Sequence, residues 1–240
     1  MEFDPIRAGV YSPARRNPQT GMASVSVAPS TYVSIYPVDP MPAEIAALRD
    51  GGEPLWLFAY GSLMWNPEML FAERRPALLR GWHRSFCLYS RDYRGTPERP
   101  GLVLGLDRGG SCHGIAYRLP RRQAAAAFDR IWAREMTGLV YHMRRVAVHT
   151  ADGAVTALAC IVRRQSADYA GRLSVDEAAR LLSRAVGGRG SGRDYLENTL
   201  RHLEALGIRD QLLQRIEKRI ADLAKPVPSA LLDSAKRRAD

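Results

Sequence analysis

The chain has 240 residues, of which 46% are hydrophobic, and it carries a formal net charge of +10 at pH 7. This length suits one globular domain, since domains commonly contain about 100–200 residues. No segment approaches the roughly 20 continuous apolar residues of a membrane helix, and the N-terminal residues lack the apolar core of a secretory signal. We therefore expect a soluble cytoplasmic protein without a membrane partner.

The positive charge is spread along the chain and is mostly arginine. Such a charge suits either nucleic acid or a small anionic substrate. Because the basic residues are not gathered into one stripe, we expect no nucleic-acid partner. A non-enzymatic basic module that binds nucleic acid is kept as an alternative.

Cysteine and histidine usage gives no sign of a disulfide framework or a metal site. The three cysteines, Cys87, Cys112 and Cys160, lie inside apolar segments. Their odd number and apolar surroundings predict buried, reduced thiols. The five histidines show no metal-ligand spacing with each other or with cysteine. We therefore expect no bound metal.

Both ends of the chain are predicted to lie outside the folded domain. Residues 1–51 contain seven prolines and many hydroxyl residues, and they cannot bury enough apolar surface to offset the entropy lost on ordering. They predict a flexible N-terminal extension that the chemistry does not need, with a possible short helix over residues 42–49. Residues 225–240 predict a C-terminal tail. The domain is then residues 52–224.

The domain is rich in strand patterns first and in helix patterns afterwards. Two hairpins are predicted, one at Arg108-Gly109-Gly110 and one at Asp152-Gly153. The predicted strands are residues 55–60, 77–90, 101–107, 111–119, 140–150 and 154–164. The predicted helices are residues 121–134, 174–186, 194–206 and 210–223.

Local signals support two of these helices. Ser174 and Glu177 form a capping box, and Gly207 is placed as a helix C-cap. Several antiparallel strands, one helix between them and helices at the end indicate an α+β domain. The strands are numerous enough to close, or nearly close, into a small barrel.

The first candidate site is the run LFAYGSLMWNP, residues 57–67. An apolar strand stops abruptly at Tyr60-Gly61-Ser62-Leu63. Glycine lets the backbone approach a ligand closely, and successive N–H groups in such a turn form a concavity that binds an anion such as a carboxylate. The alternative is a tight turn that binds nothing.

The second candidate is Glu135, which follows a predicted helix and has Trp132 and Met136 close by in the sequence. Apolar neighbours can remove a carboxyl group from water, which suits a general acid or base. The alternative is an exposed glutamate that pairs with an arginine.

A third stretch, GGRGSGR at residues 187–193, has the composition of a phosphate loop. It follows no predicted strand and lacks the Gly-Lys-Ser/Thr ending. We interpret it as a flexible connector between helices that touches an anionic substrate.

Four stretches, taken together and in order, resemble the ChaC-like γ-glutamylcyclotransferases. The resemblance covers about residues 55–206. The stretches are FAYGSLMWNP (58–67), SRDYRGTPERPGLVLGLD (90–107), HGIAYRLP (113–120) with WAREMTGLVY (132–141), and SGRDYLENTLRHL (191–203). The first is shared with the wider cyclotransferase superfamily, whereas the second and fourth are typical of the ChaC branch.

The resemblance implies a small mixed β-barrel of the γ-glutamylcyclotransferase-like type with flanking helices. It also implies a glutathione-specific enzyme that forms 5-oxoproline and cysteinylglycine without a cofactor, with Glu135 as the catalytic acid/base. Other γ-glutamyl amines or peptides are the alternative substrates. Many family members place a tyrosine sooner after the glutamate, so Tyr141 departs from the family pattern. The residues implied to bind substrate are Leu57, Phe58, Ala59, Tyr60, Gly61, Ser62, Leu63, Arg94, Tyr141 and Tyr195.

Overall fold

The computed structural model describes residues 15–16, 23–24 and 34–225. The strands are β1 (Arg15–Arg16), β2 (Ala23–Ser24), β3 (Trp56–Ala59), β4 (Glu73–Ser90), β5 (Gly101–Arg118), β6 (Tyr141–Thr150), β7 (Gly153–Val162), β8 (Val186–Gly187) and β9 (Gly190–Ser191). The helices are α1 (Ala43–Asp50), α2 (Ala124–Glu135), α3 (Val175–Arg184), α4 (Gly192–Ala205) and α5 (Gln211–Leu223). Short 3-10 turns cover Ser62–Met64 and Arg121–Gln123.

Five strands form a closed barrel in the order β3-β5-β4-β6-β7. Strands that are adjacent in this order are antiparallel. Strand β7 also pairs in parallel with β3, at Leu57 and Leu158, and with β5, at Leu106 and Ile161. All four residues of β3 are buried, which explains why its sequence is a continuous apolar run and not an alternating one. The predicted α+β barrel with flanking helices is confirmed.

The prediction of a hairpin at Arg108-Gly109-Gly110 is wrong. Residues 101–118 form one strand that pairs with β4 along its length. The register between the two strands shifts at Gly81, and Gly81, Gly109 and Gly110 all have positive φ angles of 82°, 94° and 68°. These glycines accommodate an irregularity inside a long ribbon. Because glycine marks both a bulge and a turn, the sequence pattern did not separate the two.

Two other local predictions are confirmed, whereas the C-cap of α4 is Leu206 and Gly207 follows it. Asp152-Gly153 joins β6 to β7 as a hairpin, and Ser174 and Glu177 form the capping box of α3. Helix α3 packs against α4 and α5, and the buried leucines of these helices share one core with the barrel. All three cysteines are buried and take part in no disulfide. No helix among the described residues is long and apolar enough to span a bilayer.

Residues 34–51 of the predicted N-terminal extension pack against the domain. Helix α1 forms close to the expected position, and its Ile45 is buried in the core. Asp39 is also buried, and Val38 forms a bridge with Thr137. From residue 34 onwards the chain is therefore part of the packed structure. The rest of the predicted extension, apart from β1 and β2, and residues 226–240 lie outside the described residues.

Gly114 allows β5 to pass close to β3. An added Cβ would overlap the carbonyl oxygen of Ala59 and lie 2.8 Å from Phe58 Cζ. We expect Gly114→Ala to lower the free energy of unfolding by about 1–3 kcal/mol, as measured by urea denaturation. Ser111→Ala changes an exposed residue of the same strand and should stay within about 0.5 kcal/mol of the parent protein. Equal stability of the two variants would contradict this close approach.

Candidate active site

A cavity of about 460 Å³ lies where the turn after β3 meets the end of α2. Its volume falls within the ~300–1,000 Å³ typical of small-molecule sites. The cavity is strongly polar, with four arginines and four carboxylates in its wall. They are Arg91, Arg94, Arg134 and Arg189, with Glu68, Asp92, Glu135 and Asp168.

The turn after β3 is fixed by hydrogen bonds from the backbone and from one buried arginine. Met64 N donates to Gly61 O at 2.9 Å, and Asn66 N donates to Ser62 O at 2.8 Å. Arg84 Nε donates to the carbonyl oxygen of Tyr60 at 2.7 Å. The strand therefore ends in a rigid turn that presents Ser62 to the cavity.

The predicted binding residues around this turn divide into two groups. Ser62 lines the cavity, and the other residues of the stretch lie behind it in the described structure. Tyr60 is buried, and its Oη donates to Cys160 O at 2.9 Å. The residues that do not line the cavity are Leu57, Phe58, Ala59, Tyr60, Gly61 and Leu63.

Gly61 lies directly behind a residue of the cavity wall. A Cβ at this position would lie 3.0 Å from Tyr195 Oη, and Tyr195 lines the cavity. Gly61 has φ −132° and ψ −135°, so its φ is negative and it does not lie in the left-handed region. Glycine is needed here for the close approach of Tyr195 and not for a left-handed conformation.

Glu135 is the last residue of α2, and its side chain is 17% exposed. Its Oε1 lies 2.9 Å from Arg134 Nε. The pairing with an arginine that the sequence left open is therefore present. The glutamate is nevertheless mostly buried and lines the cavity, so the ion pair does not remove it from the site.

Arg134 was missed by the sequence analysis, although it lies inside one of the quoted stretches. Its Nη2 donates to Ser62 Oγ at 2.8 Å, and its Nη1 donates to Asn66 O. Its guanidinium also lies 3.6 Å from Glu68. Arg134 thus joins the turn after β3 to Glu135. The adjacent glutamate was a signal for it, but the contact with Ser62 joins residues 72 positions apart.

Glu68 is a second carboxylate of the cavity that the sequence analysis missed. Its side chain is 13% exposed and accepts a hydrogen bond from Asn66 Nδ2 at 2.7 Å. Arg189 Nη1 lies 3.3 Å from the same carboxylate. The backbone φ of Glu68 is 49°, which is unusual for glutamate. No sequence signal indicates that Glu68 belongs to the site.

Two predicted tyrosines reach the cavity as uncharged phenols. Tyr141 Oη donates to Leu104 O at 2.8 Å, so its altered spacing in the sequence does not keep it from the site. Burial raises the pKa of Tyr141 well above its ordinary value, and the charge of Glu135 acts in the same direction. Burial raises the pKa of Tyr195 to about 12, although the charge of Arg94 opposes this change. Neither phenol adds negative charge to the site at neutral pH.

Arg94 is a partly buried cation. Its Cζ lies 4.8 Å from the centre of the Tyr195 ring, and its Nη1 donates to the carbonyl oxygen of Arg189. No carboxylate of the described residues lies within ion-pair distance of it, whereas Arg91 pairs with Asp168 at 2.7 Å. Burial lowers the pKa of Arg94, and the charge of Arg189 adds to this effect. An anionic group bound here would offset that cost.

The stretch GGRGSGR forms part of the cavity wall. It contains the β8–β9 hairpin and not the flexible connector that we expected. Gly188 N donates to Asp92 O and Arg189 N to Tyr93 O, both at 2.9 Å. These bonds fix Gly188 and Arg189 at the edge of the cavity. Within the described residues, no group of three or more His, Cys, Asp or Glu side chains is arranged to hold a metal ion.

The sequence model of the ChaC-like protein family matches residues 55–223. The glutathione-specific γ-glutamylcyclotransferase of Escherichia coli (strain K12) is 36% identical over 185 residues, which cover 75% of this chain and 80% of that protein. The glutathione-specific γ-glutamylcyclotransferase 1 of Homo sapiens is 30% identical and covers 73% of this chain and 81% of its own. A crystal structure of a γ-glutamyl cyclotransferase specific to glutathione from yeast has the same fold, with a TM-score of 0.66, 22% identity and coverage of 70% and 96% of the two chains. The chain belongs to the ChaC-like family.

Proposed function

We propose that this protein is a glutathione-specific γ-glutamylcyclotransferase that converts glutathione to 5-oxo-L-proline and L-cysteinylglycine. One observation carries the proposal: the mostly buried carboxylate of Glu135 shares a cavity with Ser62, Tyr141 and Tyr195. The activities of the E. coli and human relatives support it.

The reaction requires little from the protein beyond positioning the substrate and transferring protons. The α-amine of the substrate attacks its own γ-carbonyl carbon and closes a five-membered lactam, and the bond to the cysteinyl nitrogen breaks. Since nucleophile and electrophile belong to one molecule, holding the γ-glutamyl chain in a near-attack conformation provides much of the rate enhancement. The amine loses a proton and the departing nitrogen gains one. Glu135 performs both transfers in sequence, so the reaction consumes no water and no oxidant.

The geometry suggests a place for each part of the substrate. The α-carboxylate lies at the turn that presents Ser62, next to the Arg134 guanidinium. The uncharged phenols of Tyr141 and Tyr195 line the part of the cavity that holds the γ-glutamyl chain, and they do not repel its carboxylate. Arg94, which lacks a carboxylate partner among the described residues, receives the glycine carboxylate. A substrate with two carboxylates fits this cavity better than a simple γ-glutamyl amine.

Glu135→Gln tests the acid/base role. The amide keeps the shape and hydrogen bonding of the side chain but cannot carry a proton, so turnover of glutathione should fall by about 10²–10⁴-fold. Glutathione affinity should change little. Both are measured on one preparation, by 5-oxoproline release and by calorimetry, with circular dichroism to verify folding.

The matched control for this experiment is Glu98→Gln. Glu98 is exposed and does not line the cavity, so the variant should keep the parent turnover. Near-normal turnover in Glu135→Gln would remove Glu135 from the mechanism and direct attention to Glu68, the neighbouring carboxylate in the same cavity.

Gly61→Ala tests whether the turn after β3 sets the geometry of the site. The added methyl group would press on Tyr195 Oη, and a displacement of about 1 Å can cost up to ~10²-fold in rate. We expect kcat/KM for glutathione to fall by roughly tenfold. The added Tyr195→Phe substitution removes the oxygen atom that the methyl group contacts. The double variant should therefore lose less activity than the losses of the two single variants predict when they are combined. Simple additivity of the two changes would contradict this contact.

Arg94→Met tests the choice of substrate. Losing a charge-assisted hydrogen bond costs about 1.5–3 kcal/mol, so kcat/KM for glutathione should fall by roughly 10–100-fold. Glutathione with its glycine carboxylate converted to a carboxamide should be turned over equally by the variant and the parent enzyme. An equal loss for both substrates would instead assign Arg94 to the α-carboxylate. Arg91→Met is the control, because the Arg91 charge is already paired with Asp168 and a smaller change is expected.

A further inference from the structure

We propose that three residues of the segment Ser34–Asp39, which precedes the family match at residue 55, form part of the active site: Ser34, Tyr36 and Asp39. Asp39 is a positioning residue for Glu135, and Tyr36 shapes the cavity wall that faces the substrate. The proposal rests on the proposed function for its turnover assays, and on the geometry alone for its structural test.

Asp39 is hydrogen-bonded to the chain on both sides of Glu135. Its backbone N donates to Met136 O at 2.7 Å, and its backbone O accepts from Trp132 Nε1 at 2.8 Å. Its side-chain Oδ1 accepts from Leu139 N at 3.1 Å. Asp39 is itself buried. These three hydrogen bonds connect Asp39 to residues before and after Glu135 and hold this part of the chain in place.

The chain needs such support at this point because it leaves the helix through an unfavourable conformation. Gly138 has a φ of 70° and Leu139 a φ of 55°, and the left-handed region is uncommon for leucine. The last carbonyl groups of a helix also lack partners within it. Asp39 provides a donor to Met136 O and an acceptor to Leu139 N, and thereby fixes the turn that follows Glu135.

The other end of the segment is anchored across the cavity. Ser34 Oγ donates to Asp92 Oδ2 at 2.7 Å, and Ile35 N donates to the same oxygen at 3.2 Å. Between the two anchors, Tyr36 lies with its ring over Gly138, where an added Cβ would be 3.4 Å from Tyr36 Cγ. Ser34 and Tyr36 both line the cavity. The segment therefore completes a wall that residues 55–223 leave open.

The test of positioning uses Asp39→Ala and Asp39→Asn in the full chain. Asp39→Ala should lower kcat for glutathione by about tenfold or more, as expected for a misplaced catalytic group, with KM nearly unchanged. Asp39→Asn should restore kcat, because its carboxamide oxygen can accept from Leu139 N. Val38→Ala changes an adjacent residue that is 50% exposed and serves as the control. Parent kcat in Asp39→Ala would overturn the positioning role.

The cavity wall is tested separately with Tyr36→Ala. Loss of one aromatic contact should raise KM for glutathione by roughly fivefold with little change in kcat. Tyr36→Phe keeps the ring and should match the parent enzyme, as should Ile35→Ala, since Ile35 is 63% exposed. A parent KM in Tyr36→Ala would show that the ring does not face the substrate.

Amide exchange of Leu139, followed by NMR without substrate, provides a readout that does not depend on turnover. It should be faster in Asp39→Ala and unchanged in Asp39→Asn. Unchanged exchange in Asp39→Ala would overturn the inference whatever the enzyme's substrate. If the parent protein releases no 5-oxoproline from glutathione, the proposed function fails, and this exchange experiment still decides whether Asp39 holds the Glu135 turn.

Discussion

The guanidinium of Arg134 is the contact on which the candidate site depends. It binds Ser62 Oγ and Asn66 O on the turn after β3, and it pairs with Glu135 at the end of α2. Ser62 and Arg134 are 72 residues apart in the sequence. Removing one partner of a buried ion pair leaves an uncompensated charge, which is strongly destabilising. The arginine therefore stabilises the carboxylate and fixes its distance from the turn.

The barrel explains why this arrangement can be rigid. The turn that presents Ser62 follows a strand whose residues are all buried, and the buried Arg84 donates a hydrogen bond to the carbonyl group of Tyr60 at its start. The end of α2 is held by hydrogen bonds from Arg134 and Asp39. One half of the site is thus fixed by the core and the other half by polar contacts, among which are those from residues that precede the family match.

Much of this could be predicted from the sequence, because the relevant signals are local. Continuous apolar runs, Asp152-Gly153 and the capping box at Ser174 each depend on neighbours within a few residues. Local patterns made Ser62 and Glu135 candidates, and the family resemblance implied their roles. Arg134, Glu68 and Tyr36 were not found, since their roles arise from contacts between distant segments. The family resemblance assigned Leu57, Phe58 and Ala59 to substrate binding, and in the structure they are buried and do not line the cavity.

The parallel closure of the barrel bears on how the protein comes to fold. Strand β3 finds its partner β7 about 100 residues later in the chain, as the bond from Tyr60 Oη to Cys160 O illustrates. Contacts between such distant segments give a high contact order, which slows folding. During synthesis on the ribosome, β3 must remain without this partner until β7 has emerged. The nascent chain therefore exposes a wholly apolar strand for that interval, and this is the stage at which a chaperone would protect it from aggregation.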